Sequence, residues 1–205
     1  MVILWYGEGC FKIQNGDRVI LTDPPEKSSG LTAPRVQSDI LVRTLAPWPF
    51  EEEVRDGETV YGAGEYDIQD ITVRGFQLHE ESGASFIKTA YVITWDDVRI
   101  GLAGHISGML PPAVAENFEE LDVLIAPAGG NPFIEQDALV RMVKQLNPKI
   151  FIPSFYKIPG LKRHAGDAHP VLEAFNGEAS AQDKFVFKKK DIVDIKKTKC
   201  ICLHV

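Results

Sequence analysis

The sequence predicts an α/β protein in which helices pack outside stacked β-sheets. Two observations indicate this class. The first half of the chain is a succession of strand-like segments with tight turns at Asn15-Gly16 and Asp96-Asp97. The second half alternates short apolar strands with segments of helical periodicity, as β-α-β units do. Because neither a linker nor a shift in composition interrupts the chain, we expect residues 1–205 to form one domain.

The strands of the first half are predicted from alternating or short apolar runs that end at turn residues. Asn-Gly is the strongest short hairpin signal, and it separates the second strand from the third. Asp23-Pro24-Pro25 ends the third strand, because proline cannot donate to a strand ladder. The predicted strands are residues 2–6, 10–14, 17–23, 39–43, 71–79, 89–95 and 98–103.

The second half contains the predicted helices. Residues 133–146 carry apolar side chains at helical spacing, whereas residues 122–127 and 149–153 are continuous apolar runs typical of buried parallel strands. The remaining elements are short helices at residues 111–118 and 169–175, and strands at residues 184–187 and 199–204.

Composition excludes several functional classes. A formal net charge of −7 argues against nucleic-acid binding. No apolar run approaches the roughly 20 residues of a membrane span, and the first residues resemble a strand more than a signal peptide. The three cysteines lack the spacing of a disulfide framework and are typical of reduced thiols. We therefore expect a cytoplasmic protein without a nucleic-acid or membrane partner.

Five short motifs occur in an order that resembles the metallo-β-lactamase superfamily, in its small single-domain branch of metal-dependent-hydrolase-like proteins. The resemblance covers nearly the whole chain and implies a four-layer αββα sandwich. The motifs are YGEGCF (residues 6–11), LTDP (21–24), GAGEYDI (62–68), DVLIAPAGG (122–130) and PKIFIP (148–153).

The resemblance also implies where a metal site would lie. Members of the superfamily hold one or two zinc-like ions between the sheets, largely through a His-x-His-x-Asp-His motif that follows a strand. Here the strand at residues 39–43 is followed by LAPWPF at residues 45–50. These side chains cannot bind a divalent cation. The comparison therefore predicts the fold with the ligand motif lost.

Other positions that the resemblance assigns to the site hold a mixed set of residues. His79 matches a later histidine of the family, and His105 replaces an aspartate. Phe155 replaces the last histidine, and Glu8 replaces a histidine of the first loop. With Asp23 from the Asp-Pro motif, the candidates for a vestigial pocket are Glu8, Asp23, His79 and His105.

Two functions remain open at this stage. We expect a non-catalytic pseudoenzyme that binds a ligand or a partner, without a metal or another cofactor and with no assigned catalytic residue. The alternative is a hydrolase in which Glu8, Asp23, His79 and His105 hold zinc or another divalent metal, or act as an acid–base pair. Each residue also has a structural explanation, since strand-end imidazoles need no function and Asp23 can cap a turn.

The tryptophan of LAPWPF carries two further expectations. We predict that Trp48 is mostly buried, as part of an apolar plug in the space that holds metal in the relatives. Alternatively, Trp48 and Phe50 form an aromatic anchor for a partner, with the acidic residues 51–53 at its rim. The sequence is compatible with a homo-oligomer and with a small-molecule or protein ligand.

Overall fold

A computed structural model describes residues 1–50, 56–176 and 182–205, so the acidic residues 51–53 lie outside the described chain. None of the helices in these ranges has the length and apolar character needed to cross a membrane.

The described strands are β1 (Val2–Trp5), β2 (Phe11–Asn15), β3 (Arg18–Thr22), β4 (Ile40–Arg43), β5 (Leu45–Pro47), β6 (Glu58–Tyr61), β7 (Gly64–Ile68), β8 (Ile71–Gln77), β9 (Phe86–Trp95), β10 (Val98–Leu102), β11 (Val123–Pro127), β12 (Ile150–Ser154), β13 (Phe185–Val186) and β14 (Lys199–Cys200). The α-helices are α1 (Pro112–Ala115), α2 (Gln136–Leu146), α3 (His169–Ala174) and α4 (Lys189–Ile192).

The strands form two sheets. The first has the order β13-β1-β2-β3-β4-β6, and its β3, β4 and β6 run parallel. The second has the order β14-β12-β11-β10-β9-β8-β7, with parallel pairing from β14 to β10 and β5 paired to β9. Both sheets therefore bring the carboxyl ends of parallel strands to one edge.

The core has two layers that the apolar pattern explains. Alternate residues of both sheets, such as Ile13 and Ile20 on one and Ile93 and Ile152 on the other, meet in a cluster between the sheets. A second cluster covers the outer face of the second sheet, where α2 contributes residues from its apolar stripe. The predicted α/β class and the sandwich of two sheets are thereby confirmed.

Several boundaries differ from the sequence prediction. The Asn15-Gly16 turn joins β2 to β3 as expected, with Asn15 opposite Arg18. The strands β5, β6 and β7 were not predicted, because prolines in and around β5 and glycines near the other two mask their pattern. The helix α4 was also not predicted, and it begins in the lysine run at residues 188–190, where Asp191 accepts the Lys188 backbone N–H at 2.8 Å.

Candidate functional site

The candidate site is a cleft of about 380 Å³ at the edge where the parallel strands of both sheets end. Asp23 follows β3, and Thr44 follows β4. His105 comes shortly after β10, and Phe155 directly follows β12. In open parallel sheets, ligands bind at the carboxyl ends of the strands, where the chain turns away. The topology thus concentrates these side chains from distant parts of the chain in one place.

Three residues of the cleft adopt a backbone conformation that non-glycine residues rarely adopt. Glu8, Asp23 and Phe155 have φ values of 49°, 31° and 53°. Such conformations cost on the order of 1 to 3 kcal/mol each and collect at functional sites. Here they turn the chain sharply at the strand ends, so that the three side chains line the cleft.

Asp23, Thr44 and His105 form a continuous hydrogen-bonded relay. The Thr44 backbone N–H donates to Asp23 Oδ1 at 2.7 Å, and the Thr44 hydroxyl lies 2.5 Å from Asp23 Oδ2. The same hydroxyl oxygen lies 2.6 Å from His105 Nδ1. An ionised carboxylate can only accept hydrogen bonds, so Thr44 donates its single hydroxyl proton to Asp23. His105 Nδ1 must then carry a proton and donate it to Thr44.

Burial shifts the pKa values of the two titratable groups at the ends of this relay. It raises the pKa of Asp23 to about 6, although hydrogen bonds from Thr44 and the Arg43 charge oppose the rise. Burial also lowers the pKa of His105 to about 3, and the charges of Lys88 and Arg163 lower it further. Near neutral pH the relay therefore joins an ionised Asp23 to a neutral imidazole.

The loop that carries His105 is held from a second direction by Glu81. The Glu81 carboxylate accepts backbone N–H groups from Ser107 at 2.6 Å and Gly108 at 3.1 Å. Lys88 bridges the two segments, with its ammonium group 3.2 Å from Glu81 and 2.5 Å from the Ser107 hydroxyl. His105 is thus positioned by its loop as well as by Thr44.

On the opposite side of the cleft, Glu8 is paired with Arg163. Arg163 Nε donates to Glu8 Oε1 at 2.8 Å, and its Nη2 donates to the Phe155 carbonyl at 3.1 Å. The guanidinium also lies over the Phe133 ring, 4.9 Å from its centroid. The Glu8 carboxylate is therefore neutralised within the protein.

Two aromatic rings lie beside His105, those of Phe133 and Phe155, and the nearer one belongs to Phe155. Its side chain is 3% exposed, and its centroid lies 4.8 Å from that of His105. The ring fits only because residue 9 is glycine, since a Cβ there would come within 2.6 Å of Phe155 and 3.0 Å of Asp23. Phe155 therefore occupies apolar space immediately next to the relay.

The prediction that Trp48 is mostly buried was wrong, because its side chain is 54% exposed. The strand β5 pairs with the start of β9, and of its residues Ala46 is the buried one. Trp48 lies one residue beyond β5 and lines a separate cavity with Tyr61 and Tyr66. Within the described chain, the aromatic side chains next to His105 are Phe155, directly after β12, and Phe133, and neither belongs to the LAPWPF segment.

The structure brings together three of the four candidate residues. Glu8, Asp23 and His105 line the cleft, whereas His79 is exposed in a single 3-10 turn and does not line it. Sequence reasoning missed Thr44 as the link in the relay. It also missed the pairing of Arg163 with Glu8, which lies 155 residues away.

These residues do not fit a divalent metal as they are arranged. Thr44 engages both oxygens of Asp23 and one nitrogen of His105, and Arg163 engages Glu8. Among residues 1–50, 56–176 and 182–205, no group of three histidine, cysteine, aspartate or glutamate side chains could hold a metal ion. Zinc sites in proteins use three or four such ligands.

Comparison with known families identifies the fold. The model of a β-lactamase superfamily domain matches residues 2–154. The chain belongs to this family. A search among curated proteins found no match to the sequence.

Solved structures show the same fold. A protein of Thermotoga maritima, assigned as a zinc-dependent hydrolase of the metallo-β-lactamase superfamily, is 21% identical, with 99% of both chains covered and a TM-score of 0.78. Igni18, a metallo hydrolase of Ignicoccus hospitalis, is 14% identical over 91% of this chain and 99% of its own, with a TM-score of 0.65. A protein of Parabacteroides distasonis, assigned as a metal-dependent hydrolase, is 12% identical over 98% and 93%, with a TM-score of 0.60.

Proposed function

We propose that this β-lactamase superfamily protein binds a small molecule in the cleft between its sheets and does not catalyse metal-dependent hydrolysis there. The observation that carries the proposal is the relay of Asp23, Thr44 and His105. Its hydrogen bonds within the protein use both carboxylate oxygens of Asp23 and the Nδ1 atom of His105, which are atoms that could otherwise bind a metal. Phe155 adds an apolar ring at 4.8 Å from the imidazole.

The cleft itself supports the ligand-binding part of the proposal. Its volume of about 380 Å³ lies within the range of small-molecule sites, which is roughly 300 to 1,000 Å³. Its walls combine apolar side chains, such as Leu45 and Phe155, with the polar groups of His105 and Lys162. Such sites use a few placed polar groups for orientation and apolar walls for affinity.

The second candidate is a hydrolase with a reduced metal site. It is favoured by the family, by the hydrolases among the structural neighbours, and by the position of Glu8, Asp23 and His105 in one cleft. These three side chains would form the site only after Thr44 and Arg163 released them. His79 does not line the cleft, so it would not belong to this reduced set.

Calorimetric titration with Zn²⁺ and Mn²⁺ separates the two candidates. We expect no binding at the cleft of the wild type. The variant Phe155→His adds an imidazole beside His105 and should show measurable zinc binding, since a second imidazole then lies at the cleft. The matched control Trp48→His adds an imidazole at a distant aromatic position and should not. One zinc bound per wild-type chain, with metal-dependent hydrolysis of p-nitrophenyl phosphate or acetate, would establish the hydrolase instead.

Location and assembly stay predictions. The three cysteines are free and buried, which supports a reducing compartment and hence the proposed cytoplasmic location. The exposed Trp48 supports the proposal that the LAPWPF segment contacts a protein partner or a second copy of the chain. Sedimentation of wild type and Trp48→Ala tests this directly, because loss of an anchor would lower the mass of any assembly.

A further inference from the structure

We infer that the ligand of this cleft is an acid that also carries a hydroxyl group: its carboxylate or phosphate lies beside Lys162 and its hydroxyl donates a hydrogen bond to His105 Nε2. The inference rests on the proposed function, because it requires the relay, and not a metal, to occupy the strand ends. Two properties of the cleft support the inference: the direction of the hydrogen bonds in the relay, and the charged side chains at the cleft opening.

The relay fixes which nitrogen of His105 accepts a hydrogen bond. Thr44 has one hydroxyl proton and contacts both Asp23 Oδ2 and His105 Nδ1. With Asp23 ionised, the proton points to the carboxylate and Nδ1–H donates to Thr44. Nε2 is then the nitrogen without a proton, and no hydrogen bond to it exists among the described residues.

A neutral imidazole whose Nε2 carries no proton favours a ligand group that can donate a hydrogen bond. The His105 side chain is 17% exposed and packs against the rings of Phe133 and Phe155, and this apolar environment favours the uncharged imidazole. Nε2 therefore accepts a hydrogen bond and cannot donate one to a carboxylate or a phosphate oxygen. A hydroxyl group supplies the proton that this position needs, whereas an oxyanion placed there would face the lone pair of the nitrogen.

The charges at the cleft opening indicate where the acidic group lies. Arg163 is paired with Glu8 at 2.8 Å, and Asp23 is enclosed by Thr44. The other charged side chains of the lining are Glu26, which accepts the Ser28 hydroxyl, and the cations Arg43 and Lys162. Lys162 lines the cleft, and within the described residues its ammonium group makes no hydrogen bond or ion pair. An ammonium group in this position attracts a carboxylate or a phosphate. The acidic group and the hydroxyl of the ligand thus have separate partners.

Matched pairs of small probes test the hydroxyl group directly. Glycolate and acetate differ by one hydroxyl, as do 2-hydroxyethyl phosphate and ethyl phosphate, so the two pairs also distinguish a carboxylate from a phosphate ligand. We expect the hydroxylated probe of at least one pair to bind roughly 3- to 10-fold more tightly, which corresponds to one net hydrogen bond. Shifts of the His105 ring signals in NMR titrations near neutral pH report this binding.

The variant Asp23→Asn reverses the relay. The asparagine carbonyl still accepts the Thr44 backbone N–H, but its amide donates to the Thr44 hydroxyl. Thr44 must then donate to His105 Nδ1, and Nε2 carries the proton. The preference for the hydroxylated probes should disappear, while the lost negative charge affects both members of a pair equally. Nitrogen shifts of His105 should show the proton on Nδ1 in the wild type and on Nε2 in the variant.

Lysine variants test the position of the acidic group. Lys162→Met should weaken both members of a pair about equally, by roughly tenfold, as expected for loss of one charge-assisted contact. Lys197→Met removes an exposed charge outside the cleft and should have no effect. Equal affinities within both pairs in the wild type, or a wild-type His105 with its proton on Nε2, would overturn the inference. Metal binding in the cleft would instead overturn the proposed function.

Discussion

Replacing Asp23 with asparagine should change how the stability of the protein depends on pH. Burial raises the pKa of this carboxyl from 3.8 to about 6, which means that the folded state prefers it protonated. A raised pKa contributes stability that is fully present below the unfolded pKa and is lost as the pH rises through the folded value. The difference between the unfolded and folded pKa values of Asp23 corresponds to a change of roughly 3 kcal/mol in the free energy of unfolding.

His105 has the opposite dependence. Burial lowers its pKa from 6.5 to about 3, so its contribution is present above the unfolded value and is lost as the pH falls towards the folded one. Between about pH 4 and 6 the two contributions offset each other in the wild type. Asparagine cannot titrate, so the variant loses the pH-dependent stability contribution of Asp23 and keeps that of His105.

We therefore expect the free energy of unfolding of Asp23→Asn to fall relative to wild type by about 2 to 3 kcal/mol when the pH is lowered from 7 to 4. Near neutral pH the variant should be at least as stable as the wild type, because it buries no charge. Urea denaturation followed by tryptophan fluorescence measures the difference at each pH. The same substitution at Asp70, which lies in an exposed turn, controls for the loss of one carboxylate. A difference between Asp23→Asn and wild type that stays constant over this range would refute the assigned burial effect.

Three further predictions concern the packing around the cleft and the base of the second sheet. Phe155→Ala should lower the free energy of unfolding by about 3 to 5 kcal/mol, whereas Trp48→Ala should cost less than about 1 kcal/mol; a larger urea midpoint shift for Trp48→Ala would contradict the burial pattern. Gly9→Ala should cost roughly 1 to 3 kcal/mol in the same assay, because its Cβ would come within 2.6 Å of Phe155; an unchanged midpoint would show that the ring moves freely. Lys189→Met should cost about 1 to 2 kcal/mol, because it removes one of two cations from the buried Asp122 carboxylate; thermal unfolding that matches wild type would contradict this.

Much of the fold follows from local patterns in the sequence. The Asn15-Gly16 turn and the apolar runs at residues 122–127 and 149–153 predicted a hairpin and two parallel strands that the structure contains. The helical spacing of residues 133–146 predicted α2, although the helix begins later, at Gln136. The strand β5 was missed because it contains proline and pairs with β9 from a distant part of the chain. The strand β7 was missed because glycines lie beside it, although it forms a hairpin with β8.

The site could be predicted only in part, for the same reason. Asp23 ends one predicted strand and His105 follows another, so their convergence could be anticipated from topology. Thr44 looked like an ordinary strand end, and its role depends on partners 21 and 61 residues away. Trp48 was expected in the core as part of an apolar plug, but Phe155 lies in the space beside the imidazole. Which of two aromatic side chains fills a space depends on tertiary packing.

The metal content of the protein tests the central claim most directly. The protein would be expressed in medium supplemented with zinc and manganese, purified without a chelator, and measured by mass spectrometry beside Phe155→His. The account predicts wild-type protein with far less than one zinc or manganese ion per chain, and a higher zinc content in the variant. One equivalent of metal in the wild type that is lost in His105→Ala would contradict it, because the relay would then have given way to a metal site.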